Sequence, residues 1–218
     1  MNSADREEMQ KIDSLSIEKY QIPSIVLVEH AAMAVVKNIN LRQRDTFAIF
    51  VGIGNNGADG LAVARILLSY DKKVNIYVLG NIDKASDEFK IEYNILRKLN
   101  ANIKGIETIY DLEKLDYELE KVNTIIDAIF GTGLNREVKN IYYYVIELLN
   151  KKRIYKISVD IPSGLDASSG EILATAVDSD LIVCMQLVKK GILKNNWFKD
   201  KFVVENISMP LEAIREVL

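Results

Sequence analysis

The chain alternates short apolar runs with longer stretches in which apolar residues recur every three or four positions. The runs are FAIFVG, VNIYVLG, TIIDAIFG, IYKISVDI, DLIVCM and FVVENI, and the periodic stretches are GLAVARILLSY, DEFKIEYNILRKL and IYYYVIELLNKK. Continuous apolar runs are typical of parallel strands buried on both faces, and the periodic stretches are typical of helices packed on a sheet. The pattern predicts a doubly wound α/β fold.

Two further helices are predicted before the first apolar run. One begins near Ser3, with Asp5 in its first turn, and the other begins near Pro23. No repeat, low-complexity segment or linker rich in Pro, Gly and Ser divides the sequence. A length of 218 residues with 49% hydrophobic content therefore predicts a single domain over residues 1–218, with an N-terminal helical extension.

Charge and hydropathy argue against several classes of partner. The net charge is −3 and no long run of Lys or Arg occurs, so we expect no nucleic-acid partner. The N-terminus is polar and acidic, unlike a signal peptide, and no apolar stretch approaches the roughly 20 residues of a membrane span. We therefore expect a cytoplasmic protein with no membrane partner.

The chain has one cysteine and one histidine, which narrows the catalytic chemistry. Cys184 lies in the apolar run LIVCM and is predicted to be a small buried hydrophobe, so a disulfide framework and a cysteine-rich zinc site are excluded. His30 lies in a helical stretch, and Ser-His-Asp or Cys-His catalysis would depend on it alone. We interpret His30 as structural or adjacent to a site.

Three loops that follow apolar runs are rich in Gly, Asp, Asn, Ser and Thr. They are GIGNNGADG (52–60), DAIFGTGLNRE (127–137) and DIPSGLDASSGE (160–171). Ligands of open α/β sheets bind beyond the carboxyl ends of the strands, where such loops converge. These loops are therefore the predicted binding region.

The first loop follows the G-x-G-x-x-G spacing of dinucleotide-binding turns. Its glycines allow close approach of the backbone to a ligand, and amides at the start of the next helix can hold an anion. Asn55, Asn56 and Asp59 add side-chain donors and acceptors. The same residues also fit a tight turn and a first-turn acid that complements the helix dipole, and this motif alone does not decide between the two interpretations.

Two acidic residues lie among aliphatic residues near the ends of predicted strands. Burying Asp127 or Asp160 is costly unless the carboxylate meets a cation, a donor or a reacting group, so both are candidates for acid–base chemistry or cation binding. An oxygen-only set of Asn56, Asp127 and Ser163 suits a hard cation better than zinc or copper. With one carboxylate among the three, a weakly bound monovalent ion is the better match.

Taken together, the loops resemble the NAD(P)H-hydrate epimerase family, the YjeF N-terminal domain. The stretches GIGNNGADGLAVAR, DAIFGTGLNRE and SVDIPSGLDASSGEI are similar to its three signature segments, in the same order. IPSIVLVEHAAMAVV and LVKKGIL resemble weaker family segments, so the resemblance covers nearly the whole chain. It implies a three-layer αβα, Rossmann-like fold that forms homodimers. It also implies an isomerase that interconverts the R and S epimers of hydrated NADH and NADPH.

The resemblance also assigns roles to individual positions. It implies substrate contacts at Asn55, Asn56, Gly57, Ala58, Asp59, Gly131, Thr132, Gly133, Leu134, Asn135, Arg136, Glu137 and Asp160. It implies a potassium ion at Asn56, Asp127 and Ser163, the set reached above from oxygen chemistry. We assign proton transfer to Asp160. Relatives of this family are often fused to an ADP- or ATP-dependent dehydratase, which is the implied fused or separate partner.

Three positions depart from the family pattern. Ala58 replaces a glycine of the NNGGDG form, and would crowd the backbone if this residue needs a positive φ or a close ligand contact. His30 and Ala32 stand where Asn and Gly are common. Substrate affinity and the lining of the site depend on these positions.

Two other functions are compatible with the sequence. An NAD-dependent oxidoreductase would need an acid at the end of the second predicted strand, where Asp83 comes a few residues late. A non-catalytic module that binds a protein or RNA partner would have kept the fold alone, and the presence of both Asp127 and Asp160 argues against it.

Overall fold

A computed structural model describes residues 2–218. The strands are β1 (Ser3–Ala4), β2 (Thr46–Val51), β3 (Lys73–Leu79), β4 (Asn102–Ile106), β5 (Thr124–Ala128), β6 (Tyr155–Val159), β7 (Leu181–Met185), β8 (Val188–Lys189) and β9 (Phe202–Glu205). The α-helices are α1 (Arg6–Ser14), α2 (Ser24–Lys37), α3 (Asn55–Ser69), α4 (Asp87–Lys98), α5 (Ile109–Leu119), α6 (Asn140–Lys151), α7 (Lys190–Lys194) and α8 (Leu211–Val217). A π-helical turn (Leu15–Lys19) continues α1, and a 3₁₀ turn (Ile82–Lys84) follows β3.

Seven strands form a fully parallel sheet in the order β4-β3-β2-β5-β6-β7-β9. Within this sheet, β2 is the first strand along the chain, and β3 and β4 follow it outward to one edge. The chain then crosses back to β5, on the other side of β2. The strand order therefore reverses between β2 and β5. In open α/β sheets this reversal is where the loops separate and leave a crevice for a ligand.

Helices cover both faces of the sheet. Val35 of α2, Leu61 of α3 and Phe89 of α4 belong to one hydrophobic cluster. Leu115 of α5 and Ile146 of α6 belong to a second cluster, on the other face. The predicted αβα sandwich with a mostly parallel sheet is confirmed.

The N-terminal extension contains the two predicted helices, and the first differs in its start. α1 begins at Arg6, and Asp5 is its N-cap in a capping box with Glu8, so Asp5 precedes the first turn. Ser3 lies before the helix in β1, which pairs with β8. The second helix begins at Ser24, as predicted.

The structure bears on two features expected from composition. Across residues 2–218, no helix is both long enough and apolar enough to span a membrane. Cys184 is fully buried on β7, and burial raises the pKa of its thiol to about 12, as expected for a small core residue.

Candidate active site

A cavity of about 620 Å³ opens at the carboxyl ends of β2 and β5, at the reversal of strand order. Its volume is within the usual range for small-molecule sites, about 300–1,000 Å³. All three predicted loops contribute to its lining, together with the N-terminal helix α1. The structure therefore brings together loops that are separated by more than 100 residues of sequence between Gly52 and Asp160.

The first loop presents the amino end of α3 to the cavity. Gly54 is the N-cap, no side chain caps this end, and the first intrahelical bond runs from Ala58 N to Gly54 O at 3.0 Å. The preceding amides have no partner within the helix and are suited to an anion. Asn55, Asn56 and Asp59, three of the residues predicted to contact substrate, line the cavity.

Gly57 and Ala58, the other two predicted contacts of this loop, are not among the residues that line the cavity. A Cβ on Gly57 would lie 1.7 Å from the carbonyl oxygen of Gly52, so this glycine allows α3 to pack against the turn after β2. Ala58 lies in α3 without a positive φ, and its side chain is buried in the core. This position does not need a positive φ, so the backbone conformation gives no reason for Ala58 to be crowded.

The second loop lines the opposite side of the cavity. Residues 131–136 are in the lining, whereas Glu137 is exposed and forms an ion pair with Lys139 at 3.2 Å. Arg6, which the sequence did not single out, holds this loop: Nε donates to Thr132 O at 2.9 Å and Nη2 to Leu134 O at 2.5 Å. The loop is thus fixed by a residue from the N-terminal extension.

Arg6 also connects to the third loop. Its Nη2 donates to Asp166 Oδ2 at 2.5 Å, and the other oxygen of this carboxylate accepts from the amides of Ser168 and Ser169 at 2.9 and 2.8 Å. These bonds lower the pKa of Asp166 against the opposing effect of burial. One guanidinium therefore joins α1 to both loops.

Asp160 follows β6 and carries its carboxylate into the cavity. Its backbone has a φ of +68°, a left-handed conformation that is uncommon for a residue other than glycine. Its amide donates to Val183 O at 2.8 Å, and its Oδ1 accepts from the amide of Met185 at 2.9 Å. The neighbouring strand β7 therefore holds both the backbone and the side chain of the predicted proton-transfer residue.

Lys189 is the counter-ion of Asp160, and sequence reasoning missed it. Its side chain is fully buried, and its ammonium forms an ion pair with Asp160 Oδ1. The ammonium also donates to Met185 O at 3.0 Å and Leu187 O at 3.1 Å, so all three of its donors are used. The one sequence feature that could have indicated a buried lysine is its position directly after the largely apolar stretch LIVCMQLV.

Two more carboxyl groups, on Asp13 and Asp59, line the same cavity. Burial and the charge of Asp160 raise the pKa of Asp13 to about 6, while Lys189 opposes the shift. Burial and the charges of Asp160 and Asp13 raise the pKa of Asp59 well above its ordinary value. Asp59 was predicted as a substrate contact, whereas Asp13 was not predicted.

Asp127 is fully buried and is not among the residues that line the cavity. Ser163 donates to its two oxygens, through Oγ at 2.5 Å and through N at 2.8 Å. Ser158 Oγ and Ile129 N add bonds at 2.7 and 3.3 Å. Burial raises the pKa of Asp127, and these hydrogen bonds offset part of the effect. Asp127 and Ser163, two of the three predicted potassium ligands, are therefore hydrogen-bonded to each other.

The residues that would support other functions lie outside the cavity lining. Asp83, the candidate ribose-binding acid of an oxidoreductase, is exposed on the 3₁₀ turn after β3. His30 lies in α2, and its Nδ1 is 3.2 Å from Ile207 O, which fits the structural interpretation. Ala32 is fully buried in the core.

The family model described as "YjeF-related protein N-terminus" matches residues 24–191. The chain belongs to this family. An NAD(P)H-hydrate epimerase of Anaerococcus prevotii is 51% identical to it, over 98% of this chain and 98% of that protein. An NAD(P)H-hydrate epimerase of Leuconostoc mesenteroides is 34% identical, over 93% of this chain and 89% of that protein.

Two further comparisons concern domain context and fold. A bifunctional NAD(P)H-hydrate repair enzyme of Moorella thermoacetica is 32% identical over 85% of this chain, which corresponds to 36% of that protein. The crystal structure of the yeast protein YNL200c matches with a TM-score of 0.79 and 21% identity, over 94% of this chain and 88% of the yeast chain. The yeast structure supports the fold assignment.

The predicted potassium ligands fit a cation by their chemistry. Nδ2 of Asn56 is buried without a hydrogen-bond partner in residues 2–218, and rotation of the amide would place an oxygen at this position. Asn56 is close to Gly131, whose added Cβ would lie 3.1 Å from Asn56 Cβ, and Ser163 Oγ accepts from the amide of Phe130 at 2.8 Å. The predicted ligands therefore contact the same short segment from two sides.

Proposed function

We propose that the chain is an NAD(P)H-hydrate epimerase that interconverts the R and S hydrates of NADH and NADPH. The observation that carries the proposal is the convergence of the three loops on one cavity that holds the Asp160–Lys189 ion pair. The 51% identical relative, which bears this name and aligns over nearly its full length, supports the choice of reaction.

The chain's own residues have separable tasks in this proposal. The free amides before Ala58 and the loop 131–136 bind the phosphates and ribose groups of the dinucleotide. The exposed Arg136 at the rim adds a positive charge. Asp160 moves a proton at the hydrated ring, and Lys189 fixes the position of its carboxylate.

The test is an assay of the purified protein on one resolved hydrate epimer, with the epimer ratio followed by chromatography. We expect the wild-type protein to bring the ratio to equilibrium well ahead of a sample without protein. Asp160→Asn is expected to lower the rate by about 100-fold or more, since an amide cannot exchange the proton. Asp83→Asn, an exposed change outside the cavity, serves as the control. An unchanged ratio with folded wild-type protein, or full activity in Asp160→Asn, would contradict the proposal.

We also propose that Asn56, Asp127 and Ser163 hold a potassium ion. When bound, the ion would supply a positive charge beside a buried carboxylate whose pKa is raised by burial, and would bring the first and second loops together. Its support is the unpartnered amide of Asn56 and the oxygen chemistry of the set.

Thermal unfolding tests the potassium site without reference to activity. At a concentration ten times the dissociation constant, a bound ion adds about 1.4 kcal/mol of stability, which corresponds to a rise in melting temperature of about 3–6 °C at this size. We expect this rise in potassium chloride relative to tetramethylammonium chloride of equal ionic strength. Asn56→Ala should abolish the difference and the neighbouring Asn55→Ala should retain it. Equal melting temperatures of the wild-type protein in both salts would contradict the site.

The oligomeric state, the cellular location and a partner enzyme are the remaining parts of the proposal. A homodimer and a cytoplasmic location stay predictions. The bifunctional relative from Moorella thermoacetica supports a second repair activity on the same substrates, fused or separate, for which an ADP- or ATP-dependent dehydratase is the predicted partner.

A further inference from the structure

Asp13 lies on the inner face of α1 and lines the cavity together with Met9, which is one turn earlier on the same face. Met9 and Ile12 are buried, so this face packs into the molecule. Within residues 2–218, the Asp13 carboxylate has neither a hydrogen-bond partner nor an ion-pair partner. An acid on the packed face of an amphipathic helix, directed to a cavity and left unpaired, is available to a ligand.

The helix that carries Asp13 is fixed against the site. Arg6, at its start, is bonded to the second and third loops. Lys190 Nζ donates to Asp5 Oδ2 at 3.1 Å and to Glu8 Oε1 at 2.8 Å, and β1 pairs with the strand that carries Lys189. The position of Asp13 is therefore set by the same elements that hold Asp160 and Lys189.

Asp13 and Asp160 have contrasting environments. Asp160 is paired with Lys189 and accepts from the amide of Met185, whereas Asp13 has neither kind of partner. Burial and, to a smaller extent, the charge of Asp160 raise the pKa of Asp13 to about 6. Of the three Asp carboxyl groups that line the cavity, Asp160 is held in an ion pair, whereas the pKa of both Asp13 and Asp59 is raised. An ion-paired carboxylate beside a carboxyl group with a raised pKa is the usual arrangement of a base and an acid.

We propose that Asp13 is the proton donor that works with Asp160 in epimerisation of the hydrated nicotinamide ring. This inference rests on the proposed function. It adds a catalytic residue from the N-terminal extension to a site otherwise built from the sheet loops.

The chemistry follows from the substrate. Water that has added to the enamine double bond of a reduced nicotinamide leaves a hydroxyl on the carbon bonded to the ring nitrogen. Asp13 gives its proton to this hydroxyl, the C–O bond breaks with loss of water, and the nitrogen lone pair forms a C=N bond that carries the positive charge. Water then adds to the other face of this carbon and gives a proton to Asp160. Return of one proton from Asp160 to Asp13 restores the starting state, and the reverse reaction uses the two groups in exchanged roles.

Several charged groups determine the titration of Asp13. The charges of Asp160 and Lys189 act on Asp13, and the charges of Asp13 and Glu88 act on Asp59. Arg136 lies at the rim of the same cavity. Burial and the charge of Asp160 raise the pKa of Asp13, and the charge of Lys189 lowers it. If Asp13 must be protonated, kcat/KM decreases as the pH rises above about 6, by about tenfold for each pH unit.

The experiment compares the wild-type protein with Asp13→Asn on a resolved epimer from pH 5 to 8, with the rate of the sample without protein subtracted at each pH. Asp13→Asn is expected to lower kcat by about 100-fold while KM stays within about threefold, and to remove the decrease above pH 6 from the residual activity. Glu7→Gln is the matched control, because Glu7 is an exposed acid on the same helix outside the cavity lining. It should leave both the rate and the pH profile unchanged. Asp13→Glu keeps a carboxyl group and should retain more activity than Asp13→Asn.

The outcomes separate the two proposals. A wild-type protein that is folded but does not epimerise the hydrates overturns both. An active wild-type protein with Asp13→Asn within threefold of it, or with the same pH dependence in the variant, overturns the role of Asp13 alone. A loss confined to KM also overturns it, because it would assign Asp13 to binding. If Asp13→Asn does not fold, Asp13→Glu decides, and a wild-type pH profile with no decrease above pH 6 rejects the proposal.

Discussion

Lys189→Met is expected to lower the free energy of unfolding by about 3 kcal/mol, since it removes one partner of a buried ion pair. The change leaves Asp160 Oδ1 with only the amide of Met185, and it leaves the carbonyl groups of Met185 and Leu187 without the ammonium. We place the effect at the lower end of the range for buried pairs because the Asp160 side chain keeps 14% of its surface exposed. Urea unfolding of the purified variant measures the change.

The adjacent lysine provides a matched control. Lys190 also forms ion pairs, with Asp5 and Glu8, but its side chain is 34% exposed, so Lys190→Met should lower the free energy of unfolding by much less than Lys189→Met. Combining Lys189→Met with Asp160→Asn should cost less than the sum of the two single changes, because no unpaired buried charge remains. Equal losses in the two lysine variants would contradict the assigned ion pair.

The sequence predicted the sheet and the loops well because each signal was local. β5 is buried along its whole length and β2 at every residue after Thr46, so their apolar runs are nearly continuous. β4 was not predicted, because it is an edge strand whose Asn102, Lys104 and Gly105 are exposed. α5 was missed for a related reason: Tyr110 and Tyr117 are exposed and obscure the helical period of its buried leucines.

Some residues of the candidate site also had a local signal in the sequence, and others did not. Asp160 was predictable, as an acid at the end of an apolar strand. Lys189 and Asp13 act through contacts made only in three dimensions, between β8 and the loop after β6 and between α1 and the cavity. Asp13 had one local signal, an acid four residues after the buried Met9 on a helix. Acids near the start of the chain were interpreted as first-turn residues of a helix. The structure makes Asp5 the N-cap of that helix, and an interpretation based on the helix start leaves Asp13 unexplained.

Gly57→Ala is expected to destabilise the protein by at least about 3 kcal/mol, or to prevent folding, because its Cβ would lie 1.7 Å from the backbone oxygen of Gly52. Relief requires α3 to move away from the turn after β2. That movement would displace Asn56 and the free amides at the start of the helix, so a variant that does fold should lose dinucleotide affinity. Urea unfolding and the KM for a resolved hydrate epimer measure the two effects.

Substitutions at two neighbouring positions, Gly54 and Ala58, test whether steric overlap is the cause of the effect expected for Gly57→Ala. Gly54→Ala makes the same change in the same loop, where an added Cβ meets nothing within 4 Å and φ is −96°, and it should cost less than about 1 kcal/mol. Ala58→Gly restores the glycine of the family pattern, but it removes a buried methyl group and a good helix former, so it should cost about 2 kcal/mol while activity is kept. If Gly57→Ala were as mild as Gly54→Ala, the close packing of α3 on the first loop would be wrong. If Ala58→Gly raised both stability and substrate affinity, Ala58 would be a strained substitute for glycine despite its helical backbone.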